Sequence, residues 1–244
     1  MTGSAAQGAR PSTPSVDQLT RVVALDGPAG SGKTTVARVT AARLGWRFVD
    51  TGATYRTVAL AVLRAGADPE DAAACTTAAQ AARIELSTDP ERPGVFLDGD
   101  DVSSAIREPA VTAVVSAVSS HPGVRAVLVD EQRRAIGADA PAAAGGAVVE
   151  GRDIATVVAP LARVKAYLDA DPDVRAARRA GESGGPRSAT RDALLARDRR
   201  DNQTNQLAPS GGAVHIDTTH LGLEQVVDVV VDLAREAGLL TDRP

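Results

Sequence analysis

Residues 26–35 read DGPAGSGKTT. Gly27, Gly32, Lys33 and Thr34 stand at the spacing of a phosphate-binding loop, and the stretch lies where such a loop has to lie. It follows a short apolar run, VVALD at 22–26, and precedes Val36, Val39 and Leu44, which recur at roughly helical spacing. Strand, loop and helix in that order bring successive peptide N–H groups onto phosphate oxygens at a helix N-terminus, where the dipole favours an anion. Gly27, Pro28, Ala29, Gly30, Ser31, Gly32, Lys33, Thr34 and Thr35 are therefore the expected nucleotide-phosphate site. The Lys33 ammonium is placed to reach the β and γ phosphates, and the Thr34 hydroxyl to reach Mg2+. Lys33 and Lys165 are the only two lysines among 27 basic residues, so the chain keeps a lysine at a loop that requires one.

Outward from this loop the chain alternates between apolar runs and helical patterns. FVD at 48–50 precedes TGATYRTVALAVLRAGA, in which Val58, Leu60, Val62 and Leu63 form an apolar face that Gly66 ends. AVVEG at 147–151 and VKAYLD at 164–169 read as buried strands. VHID at 214–217 reads as a last strand before an amphipathic helix carrying Val226, Val227, Val230 and Leu233. Strands separated by helices predict an α/β fold with a parallel sheet covered on both faces. We expect one domain over residues 21–244, preceded by a disordered Ser/Thr/Ala/Gly/Pro-rich tail at 1–20. Two segments break the rhythm. Residues 84–102 predict a small hairpin turning at Pro93 and Gly94, and the Ala/Gly stretch at 138–147 predicts a loop. Residues 175–200 carry eight arginines against three acids around a Gly/Ser/Pro loop.

A phosphate loop alone suits a kinase, a hydrolase or a switch GTPase, so the arginines carry the next step. Recognition of a second phosphate favours bidentate guanidinium groups placed on several elements. DTGATYR at 50–56 begins at a strand end and puts Thr51 and Arg56 on the loop's side of the sheet; a helix cap with a solvated Arg56 is the plainer reading. EGRD at 150–153 closes another buried strand, so Arg152 and Asp153 leave the sheet at the edge where α/β ligands bind. Glu150 suits either Mg2+ held through water or a cap. A switch GTPase is expected to carry an NKxD-like base-reading segment, which this chain lacks.

LDGPAGSGKTT, FVDTGATYR, DDVSSAIR, VSAVSSHPGVR, VVEGRDIATVV, VKAYLDA and RDRRD occur in the order and spacing of the bacterial cytidylate kinase family, which the chain resembles over about residues 21–240. The resemblance implies a three-layer P-loop kinase fold with a monophosphate-binding insert at about 84–110 and a mobile lid at about 175–200. It implies phosphoryl transfer from ATP, with Mg2+, to CMP and dCMP, with another small acceptor as the alternative within the kinases. On matching positions, Thr51, Arg56 and Arg152 resemble the residues that hold the CMP phosphate, and Arg107 closes a segment expected to line the substrate. Ser116, Arg125 and Asp153 resemble those that read cytosine. A carboxylate facing the N4 amino group and an arginine facing N3 and O2 distinguish cytosine from uracil, whose edge is reversed at positions 3 and 4. Arg197 and Asp201 resemble ribose contacts, although their i, i+4 spacing taken alone favours an intrahelical ion pair. Arg178 and Arg179 resemble lid arginines that join Lys33 and Arg152 around the transferring phosphoryl group, although a solvated basic helix explains them as well. Thr204 and Ala155 depart from the family pattern, and the lid between Arg179 and Arg197 looks short.

Composition bounds the partners. A net charge of −4 argues against binding through broad phosphate-backbone neutralisation, and 2% aromatics leave few platforms for stacking bases. No nucleic-acid partner is expected, and no apolar run approaches a membrane span. The single cysteine, Cys75, permits no internal disulfide and reads as buried and inert. His121, His215 and His220 show no metal-ligand spacing and read as structural. The expected protein is a cytoplasmic monomer.

Overall fold

The computed structural model describes residues 19–137, 145–183, 187–204 and 208–240. Most of the expected tail, most of the 138–147 loop and the centre of the expected lid lie outside the described residues. Five apolar runs form one parallel sheet: β1 (Val22–Asp26), β2 (Arg47–Asp50), β6 (Ala147–Gly151), β7 (Val164–Asp169) and β8 (Val214–Asp217), in the spatial order β2-β6-β1-β7-β8. The first of these explains the rest. Val22, Val23, Ala24 and Leu25 are fully buried, with alternate residues on opposite faces. Val23 and Leu25 pack with Val36, Ala37 and Ala41 of α1 (Lys33–Leu44) and with Val226, Val227 and Val230 of α8 (Leu223–Glu236). Val22 and Ala24 pack with Val129 and Ile136 of α5 (Pro122–Gly137) and with Ile154 and Val158 of a π-helical turn, Ile154–Val158. A strand covered on both faces has to be apolar throughout, as VVAL is. The last strand lies at the sheet edge, with only Ile216 of its four residues buried.

A second apolar cluster stands between β2 and β6 in sequence. It unites α2 (Thr51–Arg64), α3 (Ala72–Ala81), α4 (Pro109–Ser120) and part of α5 around Val58, Cys75, Val111, Val115 and Leu128. A three-stranded antiparallel sheet covers it: β3 (Ile84–Leu86), β4 (Val95–Leu97) and β5 (Asp100–Asp101). The 84–102 hairpin is thus two successive reversals. The first spans Ser87 to Gly94, closed by Ser87 N–H donating to Gly94 O at 2.8 Å. The second is the two-residue turn Asp98-Gly99, with φ of 56° and 95°. Positive φ at both central residues matches the twist of a hairpin, which is why Asp-Gly serves there.

The remaining helices are α6 (Pro172–Ser183) and α7 (Arg187–Thr204), which pack on each other between β7 and β8. No single helix among the described residues is long and apolar enough to cross a membrane.

Candidate active site at the carboxyl edge of the sheet

The loop between β1 and α1 takes its shape from cations. Four of its carbonyl oxygens each accept from a basic side chain. Arg152 Nη1 donates to Gly27 O at 2.7 Å and Lys33 Nζ to Pro28 O at 2.7 Å. Arg175 Nη1 donates to Ala29 O at 3.0 Å and Arg178 Nη1 to Ser31 O at 3.4 Å. In a trans peptide the C=O and N–H point opposite ways, so fixing each of these oxygens also fixes the direction of the following N–H group. Gly27 makes the tight exit from the strand: its φ is 148°, and a Cβ there would lie 2.0 Å from Leu168 O. Burial pushes the Lys33 ammonium down to about 7, with Arg152 acting in the same direction and Glu150 and Asp26 opposing. A bound phosphate reverses that balance by placing anionic charge beside the ammonium.

Beside the loop stand oxygen donors. Thr34 Oγ1 donates to Glu150 Oε1 at 2.7 Å. Glu150 pairs in register with Asp50 on the adjacent strand, so the two carboxylates sit side by side at the sheet edge. Burial and the neighbouring Glu150 lift the Asp50 carboxyl to about 7, while Asp50 also accepts from Ala53 N–H at 2.9 Å and caps α2. One hydroxyl and two carboxylates suit a hard cation such as Mg2+ that keeps several waters. Among the described residues, no group of three His, Cys, Asp or Glu makes a cage for a metal from protein alone.

The cavity of about 190 Å³ next to the loop gathers most of the expected residues. Seven cations line it: Lys33, Arg56, Arg107, Arg125, Arg152, Arg179 and Arg197; four acids accompany them, Asp50, Glu150, Asp153 and Asp201. In a chain of net charge −4 this local excess marks an anion site. Arg56 is 9% exposed and is aimed by Ile106 O and Thr112 Oγ1, each accepting from Nη1 at 3.0 Å. Burial, together with Arg197, Arg179 and Arg107, pushes its guanidinium down to about 10, so it stands among like charges that an anion relieves. Thr51 lines the same cavity, its Oγ1 donating to Glu150 O at 2.7 Å. Arg107 sits at the rim, 3.8 Å from Asp50.

At the cavity's far end Arg125 and Asp153 form an ion pair, and the Arg125 guanidinium lies 5.9 Å from the Tyr55 ring centroid. Asp153 is held from below. Asp26, at the end of β1, accepts from Ile154 N–H and Ala155 N–H, both at 2.9 Å, and so anchors the turn that carries Asp153. Burial lifts the Asp26 carboxyl to about 6 against the pull of those two N–H groups. Asp201 on α7 collects Arg152 Nε at 3.1 Å, Arg197 Nε at 3.7 Å and Ser116 Oγ at 3.4 Å.

Two expected residues stand elsewhere. Ser116 reaches the site only through Asp201, and Ser119, one helical turn on, lines the cavity instead. Arg178 turns away: its Nη1 and Nη2 donate to Thr218 Oγ1 at 2.9 Å and Thr218 O at 2.7 Å, which leaves Arg179 alone of the pair in the cavity. Gly27, Pro28 and Ser31 shape the loop from behind. The sequence reading passed over Tyr55, Asp26, Asp50 as a cavity residue and Arg175. Tyr55 carried a signal, being one of two tyrosines in the chain. So did Asp26, the acid that ends an otherwise apolar strand.

The family described as Cytidylate kinase matches residues 23–236. The chain belongs to the cytidylate kinase family. A cytidylate kinase of Streptomyces griseus subsp. griseus is 46% identical over 215 residues, 87% of this chain and 91% of that protein. One from Streptomyces coelicolor is 45% identical over 94% of this chain and 96% of its own length. One from Mycobacterium avium is 47% identical over 88% and 95% respectively. Family membership makes the chain a nucleoside monophosphate kinase with a P-loop α/β fold, and it sets aside the switch GTPase.

Proposed function

We infer that this chain transfers the terminal phosphoryl group of Mg-ATP to CMP and dCMP, giving ADP and CDP or dCDP. The observation that carries the acceptor is the Arg125–Asp153 pair in a cavity where cations outnumber acids. Apart, these groups offer an acceptor for the N4 amino group and donors for N3 and O2, the edge cytosine presents. Uracil sets a carbonyl against the carboxylate and an N–H against the guanidinium.

Phosphoryl transfer is catalysed mainly by alignment and charge stabilisation. Lys33 and the loop N–H groups hold the donor phosphates. Arg56, Arg152 and Thr51 hold the acceptor phosphate, with Arg107 at the rim, and Arg197 and Asp201 hold the ribose. Arg179 approaches from α6 and adds positive charge where the phosphoryl group passes. Thr34, with Glu150 and Asp50 through water, would hold Mg2+, which draws charge from the phosphate oxygens when bound. The α6–α7 pair acts as the lid and residues 84–110 belong to the acceptor-binding insert, within one domain. The enzyme is read as a cytoplasmic monomer acting on two small substrates.

The test is ADP formation from Mg-ATP with CMP, dCMP, UMP, AMP, dTMP and shikimate supplied separately beside an acceptor-free control. Turnover with CMP and dCMP far above the others is expected. A rate no higher than the acceptor-free control with every compound would overturn the assignment.

A further inference from the structure

Arg175 lies outside the cavity, and the reaction scheme gives it no task. Its side chain is nonetheless buried, with partners just past β7, on the phosphate loop and on α7. Nε donates to Ala170 O, just past β7, at 3.2 Å. Nη1 donates to Ala29 O of the phosphate loop at 3.0 Å and to Asp198 Oδ2 of α7 at 2.6 Å. A guanidinium Nη carries two hydrogens, so one is committed to the loop and the other to the helix. The loop also packs on the backbone of the same residue: a Cβ on Gly30 would lie 3.0 Å from Arg175 O.

The two acceptors belong to opposite halves of the site. Ala29 lines the nucleotide side, and the orientation of its peptide determines where the Gly30 N–H points. Asp198 follows Arg197 directly and precedes Asp201 by three residues on the same helix, and both of those line the acceptor side. A movement of α7 that adjusts Arg197 and Asp201 to a bound monophosphate therefore moves Asp198, and with it the nitrogen that holds Ala29 O. The pair is mostly buried, with side chains 6% and 15% exposed, so water is a poor substitute for either bond.

We propose that Arg175 is a positioning residue that couples ATP binding to CMP binding, by tying the Ala29 carbonyl of the phosphate loop and the Asp198 carboxylate of α7 to one guanidinium nitrogen. This rests on the assignment of ATP and CMP to the two sides given above. Coupling of this kind is reciprocal: whatever factor CMP adds to ATP affinity, ATP adds to CMP affinity. Lysine does not replace the arginine: an ammonium can meet two acceptors, but it lacks the Nε that donates to Ala170 O and fixes the rigid head group between loop and helix. Asp198→Asn keeps the size and one acceptor oxygen while removing the charge, and so loosens the link without opening a cavity.

The experiment is calorimetric titration of Mg-AMP-PNP, a non-hydrolysable ATP analogue, with and without saturating CMP, on the wild type, Arg175→Lys and Asp198→Asn. The wild type is expected to bind AMP-PNP about fivefold or more tightly when CMP is present, a typical size for coupling between sites. In Asp198→Asn and Arg175→Lys the ratio should fall to within about twofold of unity, while the Kd for CMP alone changes by less than about threefold. A merely structural role would weaken both ligands and leave the ratio intact, and that result overturns the proposal. A wild-type ratio of one overturns it as well. Absence of CMP binding by the wild type removes the acceptor assignment and this proposal together, whereas intact CMP turnover with an unchanged ratio removes this proposal alone. If Arg175→Lys fails to fold, as circular dichroism would show, Asp198→Asn decides.

Discussion

Lys33 sits in a place that strips its water before an anion is there to replace it. Its ammonium is pushed from 10.5 to about 7, first by burial and then by Arg152. The unfolded chain therefore holds the Lys33 proton more tightly than the folded one between pH 7 and 10.5, and across that window the wild type gains stability as pH rises. Lys33→Met removes the charge and the penalty. The variant should be inactive and yet more stable at pH 7 by about 1–4 kcal/mol, the range seen when buried charges give way to apolar groups. Its advantage should shrink toward pH 10, as urea unfolding at several pH values would show; equal stability at every pH would mean that the desolvation is relieved in the free protein. Asp153 offers a second residue-scale prediction. Asp153→Ala should lower kcat/KM for CMP by more than about tenfold and leave the KM for ATP nearly unchanged, because the Asp153 carboxylate is paired with Arg125 rather than with the phosphate loop. Both residues were legible in the sequence, Lys33 from the loop spacing and Asp153 from its place after a buried strand. Asp26, which orients the turn behind Asp153, was not, because its partners are backbone N–H groups 128 and 129 positions away.

The elements explain why some neighbours in sequence part company in space. Successive residues on an α-helix diverge by about 100°, so Arg178 and Arg179 cannot both face the cavity. One binds Thr218 and the back of the phosphate loop, and the other lines the site. The i, i+4 spacing of Arg197 and Asp201 instead keeps them on one face, where the ion pair and the shared place in the cavity coexist. Strand edges set the tightest limit. Gly27 leaves β1 against the backbone of β7, and an alanine there meets Leu168 O while its φ stays at 148°. Gly27→Ala should destabilise the protein by about 1–3 kcal/mol through backbone strain and weaken ATP binding far more than CMP binding. Thermal melts and separate titrations of the two nucleotides check both parts, and unaltered ATP affinity would show that the loop reshapes without cost to phosphate recognition. The sequence announced the loop glycines as a group, but only the neighbouring strand shows which one lacks room.

At the scale of the whole molecule, α5 joins what the sequence order separates. Its Leu128 is fully buried in the cluster of the helical insert, and its Val129 and Ile136 belong to the core beneath the main sheet. A helix shared in this way predicts one cooperative unit. Leu128→Ala should cost about 2–5 kcal/mol, and the loss should appear equally in the fluorescence of Trp46, the single tryptophan, and in far-UV circular dichroism. Trp46 packs in the main core, far from the truncated residue's own cluster, so separate transitions would mean that the insert unfolds independently. By itself the sequence determined the five strands of the parallel sheet, the helices after β1 and β2, the phosphate loop and the bias toward arginine, because each is written in local periodicity, glycine placement and residue choice. Only the tertiary structure decided that the last strand is an edge, that three loop carbonyls are held by Arg152, Arg175 and Arg178 from more than a hundred residues away, and that Arg178 turns out while Arg179 turns in. Those outcomes depend on which distant groups meet at the carboxyl edge of the sheet, and no local pattern encodes a partner that folding brings from another part of the chain.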